Sequence, residues 1–314
     1  MPFKRVSQKF NASIKEVVIG TGSKAVTFGG ENVTPLYSFD EPIKNPPKIG
    51  IEVSDRGPNL DLPDLKKFYA GCSTIPEFAK KAITAPGVSF VALVLEKADP
   101  NGDNVSVDDC VKLAKDVSAA VGDFPLVVQG CKNVEKDGDL FNKVAEALEG
   151  KNVLFMSCKE ENHKKVAVGA VQAYKAKIGA ESAVDINLAK QLNTVITQTG
   201  VTLDNVIMNV GQSAAGYGFE YLVSTLDRIK AAALAQNDVQ LQVPIIIPAG
   251  QEAWGVKEAV ASEADFPEWG SQEQRGISME ISTAASSIAA GANGVILKHP
   301  KSIETVSKIV AALM

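Results

Sequence analysis

Histidine is scarce in this chain: its 314 residues include two, His163 and His299. A barrel that activates water on a metal ordinarily gathers several histidines with its carboxylates, so metal-assisted hydrolysis is not expected and no metal ligands are assigned. The four cysteines, Cys72, Cys110, Cys131 and Cys158, form no C-x-x-C pair. That excludes the usual spacing for zinc or an iron–sulfur cluster and leaves four reduced thiols. Positive charge is also in short supply. The net charge of −5 gives nucleic acid or an anionic membrane no electrostatic attraction. No uninterrupted apolar run approaches the ~20 residues that span a bilayer, and the opening MPFKRVSQKF lacks the apolar centre of a secretory signal, so a cytoplasmic protein is expected.

What is present is the composition of a globular protein, with 45% apolar and 22% charged residues. The first part reads as an extension. IKEVVIG and KAVTFGG are short β-branched runs separated by Thr21, Gly22 and Ser23, the pattern of a β-hairpin. GTGSK at its turn lacks the glycine spacing of a phosphate loop, and no helix follows it. The prolines of EPIKNPPK then form an extended linker, giving a hairpin and linker over 1–47 and a main body over 48–314.

In the main body, short apolar runs alternate with segments of helical period. The runs are KIGIEV (48–53), SFVALVLE (89–96), FPLVVQG (124–130), NVLFMS (152–157), SAVDIN (182–187), NVIMNV (205–210), VPIIIPAG (243–250) and NGVILKHP (293–300). Between them, Val107, Val111, Ala114, Val117 and Val121, and likewise Leu140, Val144 and Leu148, recur at spacings that make one apolar stripe on a helix. Thr74 with Glu77 and Ser106 with Asp109 have the spacing of helix N-caps. Strands that are apolar throughout are buried on both faces, as parallel strands under helices are. Eight such units predict an α/β fold, a (β/α)8 TIM barrel with an N-terminal β-hairpin extension. A doubly wound open sheet is the alternative, but EVSDRGPN after the first strand is not a glycine-rich dinucleotide turn.

In a barrel the chemistry lies at the C-terminal strand ends, which here offer Glu52, Asp55, Glu96, Asp99, Gln129, Ser157, Asp185, Asn187, Asn209, Gln212, Gln251, Glu252, Lys298 and His299. No pair of these forms a recognisable acid–base or nucleophilic unit, so no catalytic residue is assigned. Lys298 at a strand end keeps an aldolase-like Schiff base open. Asp185, Asn187 and Asn209 keep open a stand-alone pterin-dependent methyltransferase. The loop GQSAAGYG (211–218) differs in kind, because small residues let backbone approach a large ligand, although tight helix–strand packing needs small residues as well.

Three stretches carry a resemblance: GYGFEY with the later DRIK, PAGQEAWGVKEA, and RGISMEISTAASSIAAGANGVILKHP. With them the chain resembles the barrel subunits of the corrinoid/iron–sulfur protein, in particular the small (delta) subunit of acetyl-CoA decarbonylase/synthase, from the hairpin to the C-terminus. The resemblance implies a heterodimeric methyl carrier of the reductive acetyl-CoA pathway. In it a cobamide (B12), bound mainly by the large (gamma) subunit, accepts a methyl group from methyltetrahydrofolate through a separate methyltransferase and delivers it to acetyl-CoA synthase. It also implies that the iron–sulfur cluster belongs to the large subunit and that this barrel, not catalytic alone, helps enclose the corrin. Position and size then suggest Gln212, Ser213, Ala214, Ala215, Gly216 and Tyr217 of the loop, with Asn187, Asn209, Glu252 and Trp254, as cofactor-facing residues.

Overall fold

The computed structural model describes residues 7–35 and 40–314; residues 1–6 and 36–39 of the 1–47 extension lie outside the described part. The hairpin consists of β1 (Val17–Ile19) and β2 (Val26–Phe28), antiparallel with Val17 opposite Phe28 and Ile19 opposite Val26. Its alternation is that of a half-buried ribbon: Val17 and Ile19 are buried while Val18 is exposed.

Eight parallel strands follow: β3 (Lys48–Ser54), β4 (Phe90–Val94), β5 (Leu126–Gln129), β6 (Leu154–Cys158), β7 (Lys177–Glu181), β8 (Val206–Asn209), β9 (Ile246–Ile247) and β10 (Gly294–Leu297). Their order is β8-β7-β6-β5-β4-β3-β10-β9, and a parallel bridge between Met208 and Ile245 joins the two outer strands, nearly closing the sheet into a barrel. Helices alternate with the strands around the outside. Thr74 and Glu77 form a reciprocal capping box at the start of Ile75–Ala82, and the Ser106 side chain accepts from the Asp109 amide at the start of Val107–Val121. Among the described residues no helix is long and apolar enough to cross a membrane.

One predicted strand is displaced. The fifth barrel strand is Lys177–Glu181, not 182–187. KIGAE escapes an apolar-run criterion because its middle is small, and packing explains why: a Cβ on Gly179 would meet Met156 Cγ at 2.7 Å and the Phe155 carbonyl oxygen at 3.0 Å. SAVDIN instead turns the chain, with Ala183 and Val184 at positive φ, and Asp185 caps the helix Ile186–Gln198 by accepting from the Asn187 (2.7 Å) and Leu188 (3.2 Å) amides.

Side chains alternate between two apolar layers. Val91 and Leu93 of β4 face the helices, whereas Phe90 and Ala92 face the barrel interior with Val127, Leu154, Met156, Ile207, Ile246 and Ile296. The hairpin supplies Val17, Ile19, Val26 and Phe28 to that same interior cluster, and the Phe28 ring meets Phe90 edge-on with centroids 5.7 Å apart. The extension is therefore a plug for the barrel core. Gly50 makes room for Phe90, the ring on which Phe28 packs: a Cβ there would lie 2.2 Å from the Phe90 ring. A buried ion pair of Lys230 with Glu31 (2.6 Å), bridged by Asn293, ties the segment after the hairpin to the helix Phe219–Ala235.

Candidate functional site at the barrel mouth

The C-terminal ends of the strands surround a polar pocket of about 100 Å³. Gln129 ends β5, Ser157 lies in β6, Glu181 ends β7 and Asn209 ends β8; Gln212 comes from the loop beyond β8 and Gln251 from the short helix Ala249–Ala253 that follows β9. Neutral amides dominate the hydrogen bonding. Asn209 Nδ2 donates to Ser157 Oγ (2.8 Å) and Gln251 Nε2 donates to Gln129 Oε1 (2.5 Å). Two amide atoms, Gln129 Nε2 and Gln212 Oε1, are buried with no protein partner. Asp137 lies below, its Oδ1 accepting from the Cys131 amide at 2.8 Å, and burial pushes its carboxyl above the ordinary range.

A second cavity of about 430 Å³ opens beside the first, on the side formed by the segments after β3, β9 and β10. Its walls include Leu62, Tyr69, Phe78 and Trp254, and its polar lining includes Glu52 and Lys298. Trp254 is held by its surroundings. Its indole stacks on His299, and a Cβ on Gly276 would be 2.2 Å from Trp254 Cζ3.

The remaining titratable groups are committed to structure. Lys298 Nζ lies 3.3 Å from Glu52 Oε1; burial pulls the ammonium pKa down, but Glu52 together with Glu96 and Glu280 more than offsets this and raises it. A Schiff-base nucleophile needs the opposite shift. His299 accepts from the Lys301 amide through Nδ1 (3.1 Å), so its Nε2 carries the hydrogen directed at Glu273 Oε1 (3.2 Å), and it caps the helix Pro300–Leu313. Burial pushes the Cys110 thiol up to about 11 and Cys131 to about 12, and raises Cys158 as well, so these three are protonated near neutrality. Among the described residues no group of three or more His, Cys, Asp or Glu side chains is placed to hold a metal ion.

The sequence candidates are dispersed. Asn209 and Gln212 line the central pocket and Trp254 lines the second cavity. Asn187 is exposed on the first turn of its helix rather than at a strand end. Glu252 is half-buried on the short helix Ala249–Ala253. Loop 211–218 is folded against its neighbours: Ala214 is buried with Val256 and Ala259, the Ala215 amide donates to Thr283 Oγ1 (3.1 Å), Ser213 Oγ donates to the Tyr217 carbonyl, and the Tyr217 hydroxyl donates to Glu258. Gly216 and Tyr217 are its exposed tip. Sequence reasoning missed Asp137, Glu273 and Glu280, which lie on helices. Glu273 and Glu280 did leave a signal, since they share the spacing of Ile277, Ala284 and Ile288 on the buried stripe of Gln272–Ala289.

Residues 16–286 match the family described as CO dehydrogenase/acetyl-CoA synthase delta subunit. The chain belongs to this family. Among curated members, the acetyl-CoA decarbonylase/synthase complex subunit delta of Archaeoglobus fulgidus is 29% identical over 98% of this chain and 70% of its own length. The Methanothermobacter thermautotrophicus subunit of the same name is 30% identical over 96% and 76%. Solved structures with the same fold include dihydropteroate synthases. That of Xanthomonas albilineans with 4-aminobenzoic acid gives a TM-score of 0.58 at 13% identity, covering 95% of this chain and 98% of that one. That of Vibrio fischeri gives 0.56 at 11% identity, covering 95% and 97%. At such identities the likeness shows that this delta-family chain shares the barrel fold and nothing more.

Proposed function

We propose that this delta-family chain is the barrel-forming small subunit of a corrinoid methyl carrier, covering a cobamide held mainly by a large (gamma) subunit. The methyl group comes from methyltetrahydrofolate through a methyltransferase and passes to acetyl-CoA synthase, in the cytoplasm of an anaerobe using the reductive acetyl-CoA pathway. One observation supports this reading beyond family membership: alongside the charged Lys132, Asp137, Lys159 and Glu181, the mouth carries the amides of Gln129, Asn209, Gln212 and Gln251 and leaves Gln129 Nε2 and Gln212 Oε1 buried without partners. Such a rim suits a ligand whose periphery carries carboxamides, because unpaired buried amide atoms need complementary donors and acceptors.

When bound, the cobamide supplies the cobalt that accepts and gives up the methyl group. Gln129, Asn209, Gln212 and Gln251 would hold its amide periphery, and the half-exposed tip at Gly216 and Tyr217 would flank it. The chain's own residues bind, orient and exclude water. They offer the methyl group no competing nucleophile, since Lys298 is kept protonated by Glu52 and the buried thiols by desolvation.

The test is co-expression with the large subunit. Stoichiometric cobalt in a stable heterodimer is expected, as is no methyl transfer from methyltetrahydrofolate to free cobalamin by this chain alone. A colourless homodimer active by itself would overturn the proposal in favour of a stand-alone pterin-dependent methyltransferase.

A further inference from the structure

None of the residues lining the cavity beside the central pocket lines that pocket, and of the cofactor-facing candidates Trp254 alone reaches the cavity. We propose that it is a separate binding site for a flat, uncharged aromatic heterocycle that presents an amino or ring N–H edge.

Shape gives the first half of that class. Tyr69 and Phe78 meet edge-on, ring centroids 5.4 Å apart at 90°, and line the cavity together with Leu62 and Trp254. Leu62, Tyr69 and Phe78 are buried, and Trp254 is fixed between His299 and Gly276, so the walls are formed without a ligand. Rigid aromatic walls favour a flat ring, which stacks at little entropic cost.

Polarity gives the second half. The Glu52 side chain is 2% exposed, its Oε1 lies 3.3 Å from Lys298 Nζ, and its Oε2 is buried with no partner. A buried carboxylate oxygen without a donor is costly, and the missing group is an N–H. The ligand need not be a cation, because Lys298 already balances Glu52. Nor does the cavity suit a phosphate or carboxylate: its two cations are engaged, Lys298 by Glu52 and Arg56 by Asp103 and Glu96. Burial also raises the Tyr69 phenol, leaving a neutral hydroxyl, and the second carboxylate of the wall, Glu96, is paired with Arg56 at 3.4 Å.

Titration of the full chain with 2-aminopurine, followed by the probe's own fluorescence, tests the site, with purine as the competitor that lacks the amino group. Saturable quenching is expected, with purine weaker by about tenfold or more, the scale on which a lost hydrogen bond to a charged group shows. Glu52→Gln should weaken 2-aminopurine by a similar factor. Leu62→Trp, which adds bulk to the apolar wall of the cavity, should abolish binding while circular dichroism and melting report an intact fold. No saturable quenching by the wild-type chain at millimolar probe would overturn the proposal, as would equal affinity for the two probes or undiminished binding by a folded Leu62→Trp chain. The wild-type comparison decides the matter even where a variant does not fold. Cobalt content of the heterodimer is a separate measurement, so this site and the corrin reading stand or fall independently.

Discussion

The Trp254 indole and the His299 imidazole lie stacked, with ring centroids 6.0 Å apart and planes 18° from parallel. The stack joins the segment after β9 to the segment after β10 and helps to remove His299 from water. Desolvation lowers the imidazole pKa below its ordinary value near 6.5, against the opposing pull of Glu273 and Asp64, while Lys301 adds to the lowering. The unfolded chain therefore takes up a proton as pH falls through about 6.5, and the folded chain does so only at its lower pKa. The stability contribution is full above pH 6.5 and is lost below it, with a slope of at most about 1.4 kcal/mol per pH unit. Burial raises the Asp55, Asp137 and Glu280 carboxyls, which act in the opposite sense, so the informative quantity is a difference. Urea midpoints measured from about pH 7.5 to 5.5 should fall more steeply for the native chain than for His299→Gln.

The hairpin plug makes a second prediction. Phe28 is 1% exposed and shares the barrel-interior cluster. Phe28→Ala should cost about 3–5 kcal/mol in denaturant unfolding, because truncation leaves a cavity that the strands cannot collapse around. A cost below about 1 kcal/mol would show that the extension packs loosely on the barrel.

Lys230 and Glu31 form a buried pair, 2% and 8% exposed. Lys230→Met removes one charge and leaves Glu31 buried beside Asn293, which should destabilise the fold by about 3–5 kcal/mol. Adding Glu31→Gln should recover part of that loss, since the cost lies in the orphaned charge rather than in the missing attraction. Thermal and urea unfolding of the single and double variants would check it.

Loop 211–218 permits a comparison of two glycines. Both have positive φ, +93° for Gly211 and +85° for Gly216, but a Cβ on Gly211 would meet the Val184 amide nitrogen at 2.9 Å, whereas one on Gly216 has no neighbour within 4 Å. Gly216→Ala should cost about 1 kcal/mol from backbone strain alone, and Gly211→Ala more. If the tip flanks the corrin, Gly216→Val should slow cobalt methylation in the heterodimer by more than its effect on the melting temperature explains. Full methylation rates would leave the loop a packing element.

Much of the barrel was legible because local chemistry dictated it. Parallel strands buried on both faces are apolar in sequence, as in SFVALVLE, and helix starts need side-chain acceptors, as at Thr74 and Ser106. The residue types around the mouth were legible too, because strand ends follow from strands; Gln129, Asn209 and Gln251 all reach the central pocket. What local sequence did not determine was set by contacts between distant segments. KIGAE is a strand because Gly179 must fit against Met156, and that displacement moved Asp185 and Asn187 from a strand end onto a helix. The alanines of 211–218 suggest open approach to a ligand when read alone, yet Ala214 is small because Val256 and Ala259 pack on it. Trp254, Glu52 and Lys298 stand about two hundred residues apart in part, and only barrel closure, which sets β10 beside β3, brings them to one cavity. Hydrophobic period and capping act within a few residues, so they mark the elements whose own residues are apolar or capped; a strand with a small middle such as KIGAE, and with it burial, pairing and pocket shape, depends on which elements meet, and that is decided in three dimensions.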